Sequence, residues 1–393
     1  MRWAVILVLF FLAGSASVVA GEYAYPLHTR AGAIVDRRGA AVALRGVNWF
    51  GAESKAFVVG GLDRQPLASI AATVRRGGFD MVRLLWSNEM VETDPIVDSA
   101  LLAANPALRG KHALDIFDAV IDALARENLM VVLDNHRSRA DWCCDEAHGD
   151  GLWHTPDYPE DAWRADWRTM AARYRGRPNV VAAELRNEIR PDPSQDLKPS
   201  WGDGDPATDW RAAAGRGGDA VLTANPQLLI VVGGIGYQEN LIPVRAAPVR
   251  LPVPNRLVYA AHDYAWWHPA AELSDDKAFA AAAWRRWGYV RARGHAYTAP
   301  VVITEWGGCV QPDGDGKPCA ADRAAFVLAF ARYAKASRIG WIYWPLNATQ
   351  MRGYGRSAGA VETYGLLDRD WAHYADANLV KRLTGTETVS GPN

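Results

Sequence analysis

The feature that most constrains the fold is a repeated alternation of short apolar, β-rich runs with longer segments of helical length. Each of the last seven runs follows an amphipathic or alanine-rich stretch such as residues 115–127 or 321–335. Continuous apolar runs are typical of strands buried on both faces, as in parallel sheets. Eight such units predict an α/β chain folded as a closed (β/α)₈ TIM barrel rather than a doubly wound sheet. The eight runs are residues 44–49 (LRGVNW), 81–86 (MVRLLW), 130–136 (MVVLDNH), 180–188 (VVAAELRNE), 228–233 (LLIVVG), 257–264 (LVYAAHDY), 301–306 (VVITEW) and 340–344 (GWIYW).

The rest of the chain adds a small element at each end of this pattern. Residues 33–36 (AIVD) and 41–44 (AVAL) flank a polar turn, which predicts an N-terminal β-hairpin. Residues 384–393 form a polar tail. A length of 393 residues is compatible with one barrel, since barrels often exceed the usual domain size of about 150 residues. We therefore expect a single domain over residues 21–383.

The first 20 residues resemble a targeting segment. Arg2 precedes an apolar stretch at residues 3–13 (WAVILVLFFLA), and small residues follow up to Ala20. This stretch is shorter than the roughly 20 apolar residues that span a bilayer. We expect a signal peptide at residues 1–20, a secreted extracellular or periplasmic protein, and no stable membrane association after cleavage. An uncleaved N-terminal anchor is the alternative.

Charge and cysteine content limit the partners. The net charge of −1 and the lack of a long basic run give no reason to expect binding to nucleic acid. Cys309 and Cys319 flank a turn-rich segment, and export to an oxidising compartment predicts a disulfide between them. Cys143 and Cys144 are adjacent, and their state is left open. The cysteine spacings match no zinc pattern, so we expect no metal. We also expect a monomer.

Polar residues occur at the carboxyl ends of the predicted strands, where barrel enzymes hold their catalytic groups. An ionisable group within an apolar strand is unfavourable unless it is paired, so this recurrence indicates a site. Glu184 is expected to pair structurally, and Asp263 is expected to point away by strand alternation. The residues concerned are Arg83, His136, Asn187, Glu188, His262, Tyr264, Glu305 and Trp344.

Two of these residues, Glu188 and Glu305, end the fourth and seventh runs, which face each other across an eight-stranded barrel. Hydrolysis of a glycosidic bond needs a proton donor and a carboxylate that meets the developing positive charge. Arg83 could hold Glu305 ionised, and Asn187 could bond a sugar 2-hydroxyl. In retaining glycosidases the two carboxyls lie about 5–5.5 Å apart, a gap that two inward glutamates at these strand ends could span.

Aromatic residues fit a sugar substrate, because flat rings stack on the apolar faces of pyranoses. Of 17 tryptophans, nine fall at predicted strand ends or in the loops that follow them. As a set they predict a lined cleft, with Trp344 the best single candidate for a sugar platform, although core packing is the better interpretation of any one. They are Trp49, Trp86, Trp142, Trp153, Trp201, Trp266, Trp267, Trp306 and Trp344.

The chain resembles glycoside hydrolase family 5, the retaining cellulase family, over nearly all of its predicted mature length. Residues 44–51 (LRGVNWFG) are similar to that family's first strand, and the eight strand-end residues above match its recurring positions in order. Residues 134–152 and 362–367 are similar to a cellulase-like branch of plants and fungi. Ile189 departs from the proline that most members have there, which weakens transfer of a particular substrate.

The resemblance implies cleavage of β-1,4-glucan by double displacement, without a cofactor. It implies that Glu188 is the proton donor and Glu305 the nucleophile. Arg83 and Tyr264 would support the nucleophile and His262 would tune the acid/base, while His136 and Asn187 would contact the sugar.

Three alternatives remain at this stage. A metal-dependent barrel hydrolase could use His136, His262 and a carboxylate, although the chain has no His-x-His pair and no HExxH motif. A non-catalytic barrel could bind glycan without cutting it. The same mechanism could act on mannan, xylan, β-1,3-glucan or a glycolipid, because substrate contacts lie in loops without a fixed pattern.

Overall fold

The structure is a computed structural model that describes residues 23–42, 44–144, 149–309, 311–312, 316 and 318–385. The predicted signal peptide at residues 1–20 and most of the predicted tail, residues 386–393, lie outside the described residues. Within the described part of the chain, every helix is too short or too polar to cross a bilayer.

Eight parallel strands close into a barrel in sequence order, with the last strand pairing with the first. The predicted (β/α)₈ architecture is confirmed. The barrel strands are β3 (Arg45–Trp49), β4 (Met81–Ser87), β5 (Met130–Arg137), β6 (Val180–Glu184), β7 (Leu229–Gly233), β8 (Leu257–Tyr264), β9 (Val301–Gly307) and β10 (Gly340–Tyr343). The helices are α1 (Leu67–Arg76), α2 (Asn88–Thr93), α3 (Ala113–Arg126), α4 (Glu160–Arg173), α5 (Trp210–Ala224), α6 (Ala270–Leu273), α7 (Asp276–Arg286), α8 (Ala321–Ser337) and α9 (Ala377–Thr384).

Helix α3 illustrates how the sequence pattern builds the outer layer. Its apolar residues recur at helical spacing and are buried, whereas Asp115 and Arg126 face solvent. Burial of each large aliphatic side chain contributes about 1.5–3 kcal/mol. The helix ends where Asn128 takes a left-handed φ of 55°, a conformation that Asn tolerates after a helix C-terminus.

The N-terminal hairpin is present, but its strands differ from the prediction. Strand β1 (His28–Arg30) pairs with β2 (Ala33–Val35). Of the predicted second strand at 41–44, in which residue 43 lies outside the described residues, Ala41 forms an isolated bridge with Val35. The two-residue turn at Ala31-Gly32 has positive φ at both positions, which suits the twist of a hairpin. Residues 36–40 instead form a turn in which Asp36 accepts from two backbone amides.

This hairpin covers the N-terminal end of the barrel. Leu27, Ile34 and Leu44 join a buried cluster with inward-facing strand residues that include Met81 and Val302. Apolar side chains thus fill the N-terminal end of the barrel, and the polar residues lie at its C-terminal end. At the other terminus, α9 ends at Thr384, so the helix includes the first residue of the predicted polar tail. The Thr384 carbonyl accepts a hydrogen bond from Arg45 at 2.6 Å.

Candidate active site

The polar end of the barrel is organised around Arg83, a fully buried residue of β4. Burial lowers the pKa of the guanidinium, but the surrounding carboxylates raise it to a value above its ordinary one, so its charge is permanent. Every nitrogen of the side chain is engaged. Nε lies 2.7 Å from Glu184 Oε2, Nη1 lies 2.9 Å from Asn48 Oδ1 and 2.7 Å from Glu305 Oε1, and Nη2 lies 2.9 Å from Asn187 Oδ1 and 3.0 Å from Asp134 Oδ1.

Glu305, on β9, accepts hydrogen bonds at both oxygens. Arg83 donates to Oε1, and the Tyr264 hydroxyl donates to Oε2 at 3.2 Å. Burial raises the pKa of the Glu305 carboxyl to about 7, while the positive charge of Arg83 acts to lower it. Burial and the Glu305 charge hold the Tyr264 pKa well above its ordinary value, so the phenol keeps its proton and remains a donor.

Glu188 lies beyond the end of β6, because that strand stops at Glu184 and does not extend to 188 as predicted. Its φ of 45° is left-handed, which is incompatible with an extended strand. The Glu188 amide donates to Gln238 Oε1 at 2.7 Å, and Arg190 donates to the Glu188 carbonyl at 3.0 Å. These contacts hold a strained backbone conformation of the kind found at functional sites.

The two oxygens of the Glu188 carboxyl have different surroundings. Oε1 lies 2.8 Å from Nδ1 of His262, and Oε2 lies 3.0 Å from the sulfur of Cys144. Burial raises the pKa of this carboxyl to about 7, although Arg190 and Arg83 act to lower it. Among the described residues, Glu188 therefore has fewer donors than Glu305, and a proton shared by the pair is more stable on Glu188.

The side chains of Glu188 and Glu305 converge at the same end of the barrel. One carboxylate oxygen of each and a ring nitrogen of His262 all lie within 4.8 Å of one another. Burial lowers the pKa of His262 to about 4, so the ring is neutral at pH 7. Its Nδ1 faces both carboxyls, at 2.8 and 3.6 Å, while Nε2 has no partner among the described residues. The single ring proton is therefore placed on Nδ1.

Asn187 and His136 present polar atoms beside the two carboxyls. Since Asn187 Oδ1 accepts from Arg83, its Nδ2 is left as a donor, 3.5 Å from His136 Nε2. His136 Nδ1 lies 2.7 Å from Asp134 Oδ2, and burial lowers the pKa of the ring well below its ordinary value. The neutral ring donates to Asp134 and keeps Nε2 as an acceptor. The pair thus offers one donor and one acceptor to a hydroxylated ligand.

The aromatic residues divide into two groups. Trp344 is half-buried, and its ring lies 5.9 Å from that of His136 at an interplanar angle of 7°, beside Trp142. Trp266 is exposed, and its ring stacks on Tyr264 at 4.5 Å. As expected for any single tryptophan of the nine, core packing accounts for several of them, both on strands and in loops. Four of the nine are completely buried in the core, namely Trp49, Trp86, Trp153 and Trp306.

Several residues that shape the site were missed or given only a minor role by the sequence analysis. Glu184 pairs structurally, as expected, and Asp263 turns away to contact His268. Asn48 could have been found from its place at the end of the first run. Gln238 could not, because it lies in a loop with left-handed φ at both Tyr237 and Gln238. Gly233 makes room for it, since a Cβ there would collide with the Gln238 side chain.

Both cysteine pairs are bonded in the structure. Cys309 is joined to Cys319, and Cys143 is joined to Cys144.

The Glu188, His262 and Glu305 cluster has the donor types of a metal site. The same atoms, however, satisfy one another and Arg83 by hydrogen bonds, an arrangement suited to holding and moving protons.

Comparison with known proteins shows the family to which the chain belongs. The profile of the Cellulase family (glycosyl hydrolase family 5) matches residues 35–350. An endoglucanase of Paenibacillus polymyxa is 32% identical over 375 residues, covering 92% of this chain and 86% of that protein. The chain belongs to the Cellulase family, glycosyl hydrolase family 5, and is a glycoside hydrolase.

Solved structures show the same relationship. The catalytic domain of the major endoglucanase from Xanthomonas campestris pv. campestris superposes with a TM-score of 0.74 at 29% identity, over 91% of this chain and 99% of that one. A complex of an endocellulase from Pyrococcus horikoshii with cellotetraose superposes with a TM-score of 0.75 at 27% identity, over 92% and 100% of the two chains.

Proposed function

We propose that this protein hydrolyses β-1,4-glucan internally and with retention of anomeric configuration, using Glu305 as nucleophile and Glu188 as acid/base. The observation that carries the proposal is that one carboxylate oxygen of Glu188 and one of Glu305 lie within 4.8 Å of each other. Retaining glycosidases separate these groups by about 5–5.5 Å, whereas inverting enzymes need about 6.5–9.5 Å to admit a water molecule.

In the first step, the Glu305 carboxylate attacks the anomeric carbon while the bond from that carbon to the glycosidic oxygen breaks. Glu188 gives its proton to the departing oxygen. Arg83 and Tyr264 orient the nucleophile. The positive charge of Arg83 and the hydrogen bond donated by Tyr264 both stabilise the ionised carboxylate of Glu305. Asn187 Nδ2 is available to donate to the sugar 2-hydroxyl, a contact that strengthens in the transition state.

In the second step, the Glu188 carboxylate removes a proton from water, and the resulting oxygen attacks the anomeric carbon. The bond to Glu305 breaks, and its carboxylate is regenerated. Neutral His262 donates from Nδ1 to Glu188 throughout, so it stabilises the carboxylate form that arises after the first step. Two inversions at one carbon give net retention.

Azide rescue tests the two roles separately. Glu305→Ala and Glu188→Ala should each lose several orders of magnitude of activity. With an activated aryl glycoside, azide should rescue Glu305→Ala with an inverted glycosyl azide, and Glu188→Ala with a retained one. Product configuration is read by NMR. Glu188→Gln and Glu305→Gln should fold normally, and near-wild-type turnover by either would refute the assignment.

The proposed substrate draws support from the relatives, which are an endoglucanase and an endocellulase seen with cellotetraose. The exposed Trp266 and half-buried Trp344 provide aromatic surface beside the acids. A panel of carboxymethyl cellulose, mixed-linkage glucan, mannan, xylan and a glycolipid tests the choice. Viscosity falling faster than reducing ends appear would indicate internal cleavage. Absence of hydrolysis on every substrate would favour a glycan-binding barrel, and loss of activity with a chelator would favour a metal-dependent one.

Secretion and a monomeric state are part of the proposal. The apolar stretch at residues 3–13 and the small residues up to Ala20 support removal of a signal peptide. Sequencing the N-terminus of protein collected outside the cytoplasm tests this, and a chain that begins at Met1 and sediments with membranes would contradict it. Light scattering gives the oligomeric state.

A further inference from the structure

The adjacent cysteines lie against the proposed acid/base carboxyl. The Cys144 sulfur is 3.0 Å and the Cys143 sulfur 3.9 Å from Glu188 Oε2. The Cys143 sulfur is also 3.6 Å from Asn187 Nδ2. The disulfide therefore contacts two neighbouring residues that the proposed mechanism uses.

The sulfurs occupy the side of the carboxyl that His262 does not. His262 donates to Oε1, whereas a disulfide has no hydrogen and cannot donate to Oε2. Among the contacts described for Glu188, Oε2 has no donor. This oxygen is therefore the one on which the acidic proton is best placed, and the sulfurs limit the directions in which the carboxyl can turn.

We propose that the Cys143–Cys144 disulfide is a positioning element for the acid/base, holding the Glu188 carboxyl against His262 with Oε2 left as the proton-bearing oxygen. The inference rests on the proposed function of Glu188. It assigns the cysteine pair a part in proton delivery to the leaving group, distinct from the part played by Cys309–Cys319.

The segment that carries the disulfide is tied to the barrel on its N-terminal side. Arg137 donates to the Trp142 carbonyl, and the Trp142 ring lies 5.1 Å from Phe50. The Arg356 guanidinium lies 4.0 Å from the centre of the same ring. Asp141 accepts from the backbone amides of Trp142 and Tyr354. The two residues that precede the disulfide are thus held from several directions, as a positioning role requires.

Reduction of the disulfide changes the groups that contact the Glu188 carboxyl. A dithiol reductant such as dithiothreitol supplies two electrons and two protons; the S–S bond breaks, two S–H groups form, and the reductant becomes a cyclic disulfide. The thiols can then donate towards Oε2 and stabilise the carboxylate, and the sulfurs are free to separate. Both effects weaken Glu188 as a proton donor. Neither affects attack by Glu305.

A leaving-group series measures this directly. The Cys309→Ser/Cys319→Ser variant retains only Cys143 and Cys144 of the four cysteines, so reduction acts on one site. Phenyl β-cellobioside needs protonation of its leaving group, whereas the 2,4-dinitrophenyl glycoside does not. Reduction should lower kcat/KM about tenfold for the phenyl substrate and leave the dinitrophenyl substrate within about twofold. The alkaline limb of the phenyl pH profile should shift to lower pH, and reoxidation should reverse both changes.

The controls separate this idea from the proposed function. Glu188→Gln should show a steep dependence on the leaving group; if it does not, the acid/base assignment itself fails. If Glu188→Gln behaves as expected but reduction has no effect, or slows both substrates equally, the positioning role of the disulfide is overturned. Cys143→Ala/Cys144→Ala should reproduce the selective loss. Should that variant not fold, reversible reduction, with the thiol count followed by mass spectrometry, remains decisive.

Discussion

Nη1 of Arg83 lies 2.7 Å from Oε1 of Glu305, and this bond belongs to a set in which one guanidinium contacts three carboxylates. Arg83→Lys keeps the charge but cannot reproduce the planar set of donors. We expect kcat to fall about 100-fold, because the nucleophile loses its orientation. The acidic limb of kcat/KM should move to higher pH, since the Glu305 carboxylate loses a donor.

Steady-state kinetics across pH, with thermal unfolding in parallel, checks this prediction. A lysine cannot satisfy all the partners of the buried guanidinium, so the melting temperature should also fall. A variant that is less stable but retains full kcat would show that Arg83 serves folding alone.

The paired carboxyls predict an activity profile centred near neutral pH. Burial raises the pKa of both Glu188 and Glu305 to about 7. Activity requires Glu305 without its proton, so the rate rises with pH through that titration, and Glu188 with its proton, so the rate falls through the other. Because each charge opposes the other, the two titrations separate on either side of that value. Carboxyls with the ordinary Glu pKa of about 4.3 would give a maximum far lower.

This profile is measured as kcat/KM against pH on a soluble glucan. Glu188→Gln, measured with the 2,4-dinitrophenyl glycoside, should lose the falling limb and keep the rising one. A falling limb that persists in this variant would assign that titration to another group.

Tyr264 makes a separate contribution to the nucleophile. Its hydroxyl lies 3.2 Å from Glu305 Oε2 and stays protonated, because burial and the Glu305 charge raise its pKa. Tyr264→Phe should lower kcat about tenfold and leave KM nearly unchanged, with the acidic limb shifted to higher pH. An increase in KM without a change in kcat would instead place Tyr264 in substrate binding.

The barrel could be predicted from the sequence because parallel strands that are buried on both faces have nearly continuous apolar sequences. Seven of the predicted strands match β3–β5 and β7–β10 to within one residue at each end. The exception is the fourth, where an apolar and polar mixture continued past Glu184. The left-handed φ of Glu188 does not alter the pattern of apolar residues. The sequence therefore could not show that Glu188 lies outside the sheet.

The candidate site was predictable where side chains project from strand ends and obscure where they come from loops. Arg83, His262 and Glu305 lie on strands, and their positions follow from strand register. Gln238 reaches Glu188 from a loop 50 residues away in sequence, and the contact of Cys144 with Glu188 likewise depends on tertiary structure. No local periodicity encodes such contacts.

The disulfide between Cys309 and Cys319 should stabilise the fold without acting on proton delivery. The two cysteines are separated by 10 residues in sequence. Closing a loop of that size lowers the entropy of the unfolded chain and stabilises the fold by about 3 kcal/mol. Cys309→Ser/Cys319→Ser should therefore unfold at lower temperature or denaturant concentration. Its ratio of activities on phenyl and 2,4-dinitrophenyl cellobiosides should match that of wild type. Unchanged stability, or both thiols found free by mass mapping of the native protein, would count against this bridge.

Trp266 is expected to bind substrate beyond the reacting sugar. Its side chain is 55% exposed, and its ring stacks at 4.5 Å on Tyr264, which contacts the proposed nucleophile. Trp266→Ala removes a face on which a pyranose can stack, and should raise KM for long cellooligosaccharides about tenfold while changing kcat little. Trp284, 52% exposed on α7, is the matched control, since Trp284→Ala removes the same ring elsewhere on the surface. Equal effects of the two substitutions, or an effect of Trp266→Ala that does not depend on oligosaccharide length, would refute a stacking role.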